Sequence, residues 1–222
     1  MLMTNSNQPN QFHIQHVISP LPVFTTVLED YETINKELKR LILEHRQNTD
    51  VDIGGTGTNE SNVKAWHSSW KTHKENPKFM PFVELVLGAV DFISKGYFDT
   101  GKDTNYFAND MWAMMYEESE YTVRHAHFPS DFSCVYYVDV EPNCAPIVFE
   151  DPTDDTVSSG ILYPKDHQPL IIQPQNGLLV VWPGLLHHQV PPTKGKRMAI
   201  SMNFDKCPAG FSRKDSSFAG RD

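Results

Sequence analysis

Two histidines one residue apart, His125 and His127 in the run YTVRHAHF, can offer their imidazoles to one metal ion, because strand side chains at i and i+2 leave the same face. A third ligand could come from the adjacent pair His187 and His188, which opens a separate strand-like run after the Trp-Pro-Gly turn at 182–184. Three ligands from two neighbouring strands leave half of an octahedral sphere open, the pattern in which non-haem iron takes O₂ beside a second ligand. A solvent-facing histidine pair is the competing explanation in a chain with 10 histidines. Arg197 opens the run RMAISMNFD, nine residues beyond His188. If Arg197 faces inward, alternation sends Ala199, Ser201 and Asn203 inward and turns Met198, Ile200, Met202 and Phe204 towards an apolar layer. An interior guanidinium needs an anion, and a ligand carboxylate held in its fork meets that need; an aspartate on the rim is the alternative.

The elements that position these groups change texture along the chain. The run HIQHVISPLPVFTTVL reads as an edge strand broken by Pro20 and Pro22. From Leu28 to about His45, Tyr31, Ile34, Leu38 and Leu41 recur at helical spacing, with acids early and bases late. A second helix is predicted from Pro81 to Lys95, with Phe82, Leu85, Val86, Ala89, Phe92 and Ile93 on one face and Gly96 ending it. After residue 105, short β-rich runs near 111–117, 121–128, 132–140, 146–151, 168–173, 177–183, 187–190 and 197–205 suggest a sandwich or jelly roll. With helices packed on one face, this makes a single α+β, mostly β domain over 1–222. Within it, 13–100 supports the barrel, 105–205 forms the core and 206–222 is a polar tail. Gly54, Gly55 and Gly57 lack the spacing and the Lys-Ser/Thr of a phosphate loop.

Composition narrows the partners. With 19 Lys+Arg against 28 Asp+Glu, the net charge of −9 argues against a duplex nucleic-acid binder. No apolar run approaches the roughly 20 residues of a bilayer span, and the opening MLMTNSNQPNQ has neither a basic nor an apolar leader region, so a cytoplasmic protein is expected. Cys134, Cys144 and Cys207 are odd in number and lack CxxC spacing, which suits reduced thiols.

Four segments carry a family resemblance: VRHAH, SCVYYVD, NGLLVVWPG and HQVPPTKGKRMAISMNFD. Their order and spacing over residues 105–205 resemble the iron(II)- and 2-oxoglutarate-dependent oxygenases, specifically the prolyl-hydroxylase-like branch. The N-terminal helices look like those of a group of uncharacterised oxygenases that also carry HxH. The resemblance implies a double-stranded β-helix, the cupin-like jelly roll. It also implies that His125 and His188 ligate iron, with His127 where the family has a carboxylate. Asp131 or Asp151 would supply that carboxylate if the strand register differed. Arg197 would hold the distal carboxylate of 2-oxoglutarate, with Tyr137 and Ser201 beside it, whereas Tyr116 falls one residue short of a second co-substrate tyrosine. Trp182 and Phe149 read as core, and Asn203 stands where prolyl hydroxylases have a Trp. The implied reaction couples decarboxylation of 2-oxoglutarate and O₂ to hydroxylation of a small molecule or a peptide residue, a prolyl residue being the first analogy. Two rivals are a three-histidine cupin dioxygenase that consumes O₂ without 2-oxoglutarate and a non-catalytic binding barrel without a redox metal.

Overall fold

In the computed structural model, which describes residues 21–54, 61–98, 104–150 and 169–207, alternation along the strands produces two facing antiparallel sheets. The strands are β1 (Phe24–Val27), β2 (Val63–Lys64), β3 (Trp66–His67), β4 (Tyr106–Tyr116), β5 (Tyr121–His125) and β6 (Phe132–Val140). They continue as β7 (Ile147–Phe149), β8 (Leu170–Ile172), β9 (Leu178–Pro183), β10 (His188–Val190) and β11 (Arg197–Lys206). The larger sheet runs β1-β9-β6-β11-β4-β3 and the smaller β2-β5-β10-β7-β8. Between them lie Trp112, Met114, Tyr116, Val135, Tyr137, Val180, Trp182 and Ala199. Met198, Ile200, Met202 and Phe204 alternate to the outer face of the larger sheet, as the sequence pattern required. The eight expected strands are present. β2 and β3 are additions too short to show a period, and β4 begins five residues earlier than its predicted start.

Three helices, α1 (Tyr31–Asn48), α2 (Thr72–Glu75) and α3 (Met80–Tyr97), accompany the sheets, with a 3₁₀ turn at Pro77–Phe79. Leu38, Leu41 and Ile42 of α1 and Phe82, Val83, Val86 and Val90 of α3 cover the outer face of the larger sheet. Tyr136 on β6 donates to Asn35 Oδ1 at 2.6 Å, pinning α1 by a buried polar contact. At Gly177, φ is +81° and any Cβ would strike the Tyr31 ring, so glycine both permits the turn and seats the helix. The predicted face of α3 is rotated: Leu85 and Phe92 are exposed, and Val83, Leu87 and Val90 are buried instead. The helix is apolar on nearly every side, so packing selects the face. Gly96 lies inside α3, which ends at Phe98 through a backbone bond to Ser94 O. Of the expected first strand only 24–27 is formed, and 13–20 lie outside the described residues, as do 55–60 of the glycine-rich loop and 208–222 of the tail.

β5 ends at His125 instead of continuing to 128, so His127 sits in the following turn. Its N–H donates to Gly184 O at 2.7 Å, and Gly184 N–H donates to Asp131 O at 3.0 Å. A Cβ on Gly184 would lie 2.1 Å from Ser130 O, so this turn and the one after β9 touch backbone to backbone.

Gly184→Ala should therefore destabilise the fold by about 1–3 kcal/mol in urea unfolding. Gly88→Ala, on the exposed side of α3 with open space around its Cβ position, should be neutral or stabilising by up to about 1 kcal/mol. A pH effect is also expected from His67 and His73, whose pKa values burial pushes down to about 4. The unfolded chain binds these protons first, so stability is full above about pH 6.5 and falls as pH drops towards 4. Between pH 7.5 and 5.5 the wild type should lose about 1 kcal/mol more than His67→Phe in urea titrations.

Candidate metal and co-substrate site

His125 on β5 and His188 on β10 are direct cross-strand partners, and the turn described above brings His127 against them. One ligand atom from each of the three lies within 4.8 Å of the others. His125 Nδ1 is 2.8 Å from Val123 O and His188 Nδ1 is 3.0 Å from Leu186 O. Each Nδ1 therefore carries the proton, leaving Nε2 as a lone-pair donor. His127 Nε2 lies 3.3 Å from His188 Nε2, and the two rings are parallel within 9°. Burial, with the neighbouring imidazoles adding to it, drives the His127 pKa down to about 3 and that of His188 well below its usual value. Burial lowers His125 as well. The three neutral imidazoles place donor nitrogens within reach of one ion, and such a set suits iron, zinc, copper or nickel.

On the inner side of the triad, a cavity lined by His125, His127, His188, Ser201 and Tyr137 leads to Arg197. The Arg197 side chain is buried, and Nη1 donates to Ala145 O at 3.0 Å, while Nε has no acceptor among the described residues. Its guanidinium lies 4.1 Å over the Tyr116 ring and 5.9 Å from that of Tyr137. No carboxylate pairs with it among the described residues, which removes the rim-aspartate alternative there and leaves an anion-seeking group facing a cavity. Burial pushes the Tyr137 hydroxyl up to about 12, so it stays protonated and can donate. On the other side of the triad, a second cavity of about 290 Å³ opens past His125 and His127 towards Trp70, Asp110, Asn203 and Asp205.

His125, His127, His188, Arg197, Tyr137 and Ser201, all singled out from sequence, thus converge on one barrel interior. His187 is half-exposed and does not join the cluster. Asp131 is exposed and its Oδ2 accepts from Lys206 N–H at 2.7 Å, away from the triad, while Asp151 lies outside the described residues. Spacing along the chain leaves Tyr116 one residue short, yet the β4–β11 register places it opposite Arg197, and its hydroxyl contacts Thr122 Oγ1 at 2.5 Å. Alternation from Trp112 through Met114 would have found it. Trp182 and Phe149 are buried as expected, but their rings also wall the site, 4.8 and 5.6 Å from the His188 ring.

Residues 110–205 match a family model described as "Putative 2OG-Fe(II) oxygenase". No curated protein matches the sequence. Among solved structures, a Pseudomonas putida prolyl-4-hydroxylase is similar at 14% identity and TM-score 0.56, over 83% of this chain and 92% of that one. A Trichoplax adhaerens prolyl hydroxylase, solved with a peptide fragment of the hypoxia inducible factor oxygen degradation domain, is similar at 15% identity and TM-score 0.57, over 90% and 87%. The α-ketoglutarate-dependent carbocyclase SnoK of nogalamycin biosynthesis is similar at 12% identity and TM-score 0.62, over 83% and 79%. At such identities these likenesses speak for the double-stranded β-helix fold, and no helix among the described residues is long and apolar enough to cross a membrane. The matched segment contains the histidine cluster and Arg197, so the stretch of chain that bears the candidate site is similar in sequence to the iron(II)- and 2-oxoglutarate-dependent oxygenases.

Proposed function

We propose that His125, His127 and His188 hold the iron, that Arg197 binds the distal carboxylate of 2-oxoglutarate with Tyr137, Tyr116 and Ser201 around it, and that the protein hydroxylates a small molecule or a peptide residue. One observation carries the reading: the imidazole cluster and a buried arginine without a carboxylate partner among the described residues line the same cavity. A peptide residue such as proline is the first substrate class to test, given the likeness to prolyl hydroxylases. Cys134 and Cys144, buried and free of disulfides, support a reducing, cytoplasmic setting, and helices seated on the larger sheet support treating 1–222 as one domain.

When bound, iron(II) with 2-oxoglutarate supplies the oxidising power, one atom of O₂ entering succinate and the other the hydroxylated product as CO₂ leaves. The chain's own task is positioning. The Val123 and Leu186 carbonyls fix the tautomers of His125 and His188, and burial keeps all three imidazoles neutral and ready to ligate. The Tyr116 face and the Ala145 carbonyl hold the Arg197 guanidinium so that little ordering remains when a carboxylate arrives. Trp182 and Phe149 pack beside His188 and exclude water from that side. A third imidazole in place of a carboxylate leaves the site's formal charge at +2 instead of +1, which strengthens its hold on an anionic co-substrate. Removal of hydrogen from carbon requires no general base, and none is assigned.

Two experiments test this reading. Arg197→Ala should leave iron binding nearly intact and weaken 2-oxoglutarate by at least about tenfold in anaerobic calorimetry, the scale of a lost charge-assisted pair. Unchanged 2-oxoglutarate affinity would overturn the co-substrate assignment, and O₂ uptake without matching succinate would indicate a three-histidine dioxygenase of another kind. In a histidine series, His188→Ala should lose most of its iron while His187→Ala keeps it. His127→Asp should retain iron and succinate formation, whereas His127→Ala should lose iron or admit chloride, read by metal content and by succinate yield with and without chloride.

A further inference from the structure

The cavity of about 290 Å³ on the outer side of the triad is large enough for one side chain or a small molecule. Its charged lining among the described residues, apart from the histidines, consists of Asp110 and Asp205. The two carboxylates are not equivalent. Asp110 is saturated: Lys71 Nζ meets its Oδ1 at 2.8 Å, and Asn203 Nδ2 donates to its Oδ2 at 3.2 Å. Asn203 is itself held by Ser133, whose hydroxyl donates to Asn203 Oδ1 at 2.9 Å. Asp205, two residues further along β11, lies beside the neutral side chains of Ser130 and Asn109, which favour its charged form. Burial is the largest influence on its carboxyl and raises its pKa, with Asp131 and Asp110 pushing the same way. An anion so placed is stabilised by any cation that enters.

The remaining walls match such a cation. Trp70 and Trp112 meet edge to face at 4.8 Å, and Trp70 is 37% exposed, leaving aromatic surface at the cavity. Phe128, 81% exposed, extends the aromatic lining at the same cavity. Trp112, which lines both cavities, is 3% exposed, and its Nε1–H is buried without an acceptor among the described residues, a donor that a ligand carbonyl would satisfy. A carboxylate with neutral partners, aromatic faces and an orphaned donor together describe a site for a cation attached to a carbonyl-bearing unit.

We propose that the substrate is a basic aminoacyl unit, a protonated amine or guanidinium recognised by Asp205 and the Trp70 face, with a carbonyl accepting from Trp112 Nε1. This rests on the oxygenase reading above, and names the substrate class of that same site. The unit is either a free basic amino acid or a lysyl or arginyl residue within a peptide, since both present the same two groups. The −9 net charge of the chain favours approach of such cations over long range.

The test is binding, read apart from turnover. Intact protein loaded with manganese(II) and 2-oxoglutarate under nitrogen is titrated by calorimetry with free L-lysine, N-acetyl-L-lysine methylamide, N-acetyl-L-arginine methylamide and the neutral N-acetyl-L-norleucine methylamide. At least one cationic probe should bind about tenfold or more tightly than norleucine, the scale of one well-placed ionic or cation–π contact. The free amino acid binding best assigns a small-molecule source, and a blocked probe binding best assigns a peptide. Asp205→Asn, close to isosteric, should shrink the cationic preference to within about twofold, and Trp70→Leu should reduce it as well. Equal affinity for cationic and neutral probes, no binding of any cation, or a preference that survives Asp205→Asn would overturn the proposal. A parallel 2-oxoglutarate titration of the same samples reads the co-substrate site alone, so a failure of the oxygenase reading appears there and not in the probe series.

Discussion

The pairing of His125 with His188 across β5 and β10 is the constraint on which the interior depends. Antiparallel neighbours hold opposed side chains about 5 Å apart, so once these strands pair in this register the two imidazoles must share a space. The backbone carbonyls behind them then decide which nitrogen faces that space. His127 joins through a different device, a turn locked against the one after β9 by Gly184, where no side chain fits between the two backbones. A one-residue slip of β10 against β5 would turn His188 outward and bring His187 in, with a different ring position and tautomer partner.

From that point the larger sheet arranges a graded interior. β11 lies between β4 and β6, and its inward residues run in order from Arg197 through Ala199 and Ser201 to Asn203 and then, past a bulge, Asp205. The same strand thus carries a buried cation at one end of the cavity system and a carboxylate at the other, with the imidazole cluster between them. An anionic co-substrate and a cationic substrate could each find its counter-charge without competing for one site. The outward Met198, Ile200, Met202 and Phe204 of β11 belong to the same buried apolar cluster as α1 and α3, so helix packing supports the strand that bears most of the chemistry.

Buried charge is tolerated here by uneven means. Arg197 is desolvated, yet rests on an aromatic face and a carbonyl. Asp110 is neutralised by Lys71, whereas among the described residues Asp205 lies beside the neutral side chains of Ser130 and Asn109 and pairs with no cation. Leaving polar atoms unsatisfied costs stability, and those of Arg197, Trp112 and Trp182 all border the cavities. Others, such as His45 Nε2 on α1, lie outside the cavities, so those at the cavity walls are the ones that a bound ligand could satisfy.

Strand alternation, a local property, is legible in the sequence: it separated Arg197, Ala199, Ser201 and Asn203 from Met198, Ile200, Met202 and Phe204, and the two groups do face opposite layers. His188, not His187, is the buried member of its pair for the same reason. Properties set by non-local pairing were not legible. Alternation turns Tyr116 inward with Trp112 and Met114, but its placement against Arg197, 81 residues later, comes from the β4–β11 register, which no spacing along the chain encodes. The buried face of α3 follows from the sheet beneath it, because the helix offers apolar residues on nearly every side. His127 reaches the cluster through a turn and not through the strand its alternation suggested, since the strand stops where Gly184 allows another backbone to close in. The sequence by itself determined which residues could act and which way each strand faces; the tertiary structure decided which of them meet, because meeting depends on register and on close backbone contact between distant segments.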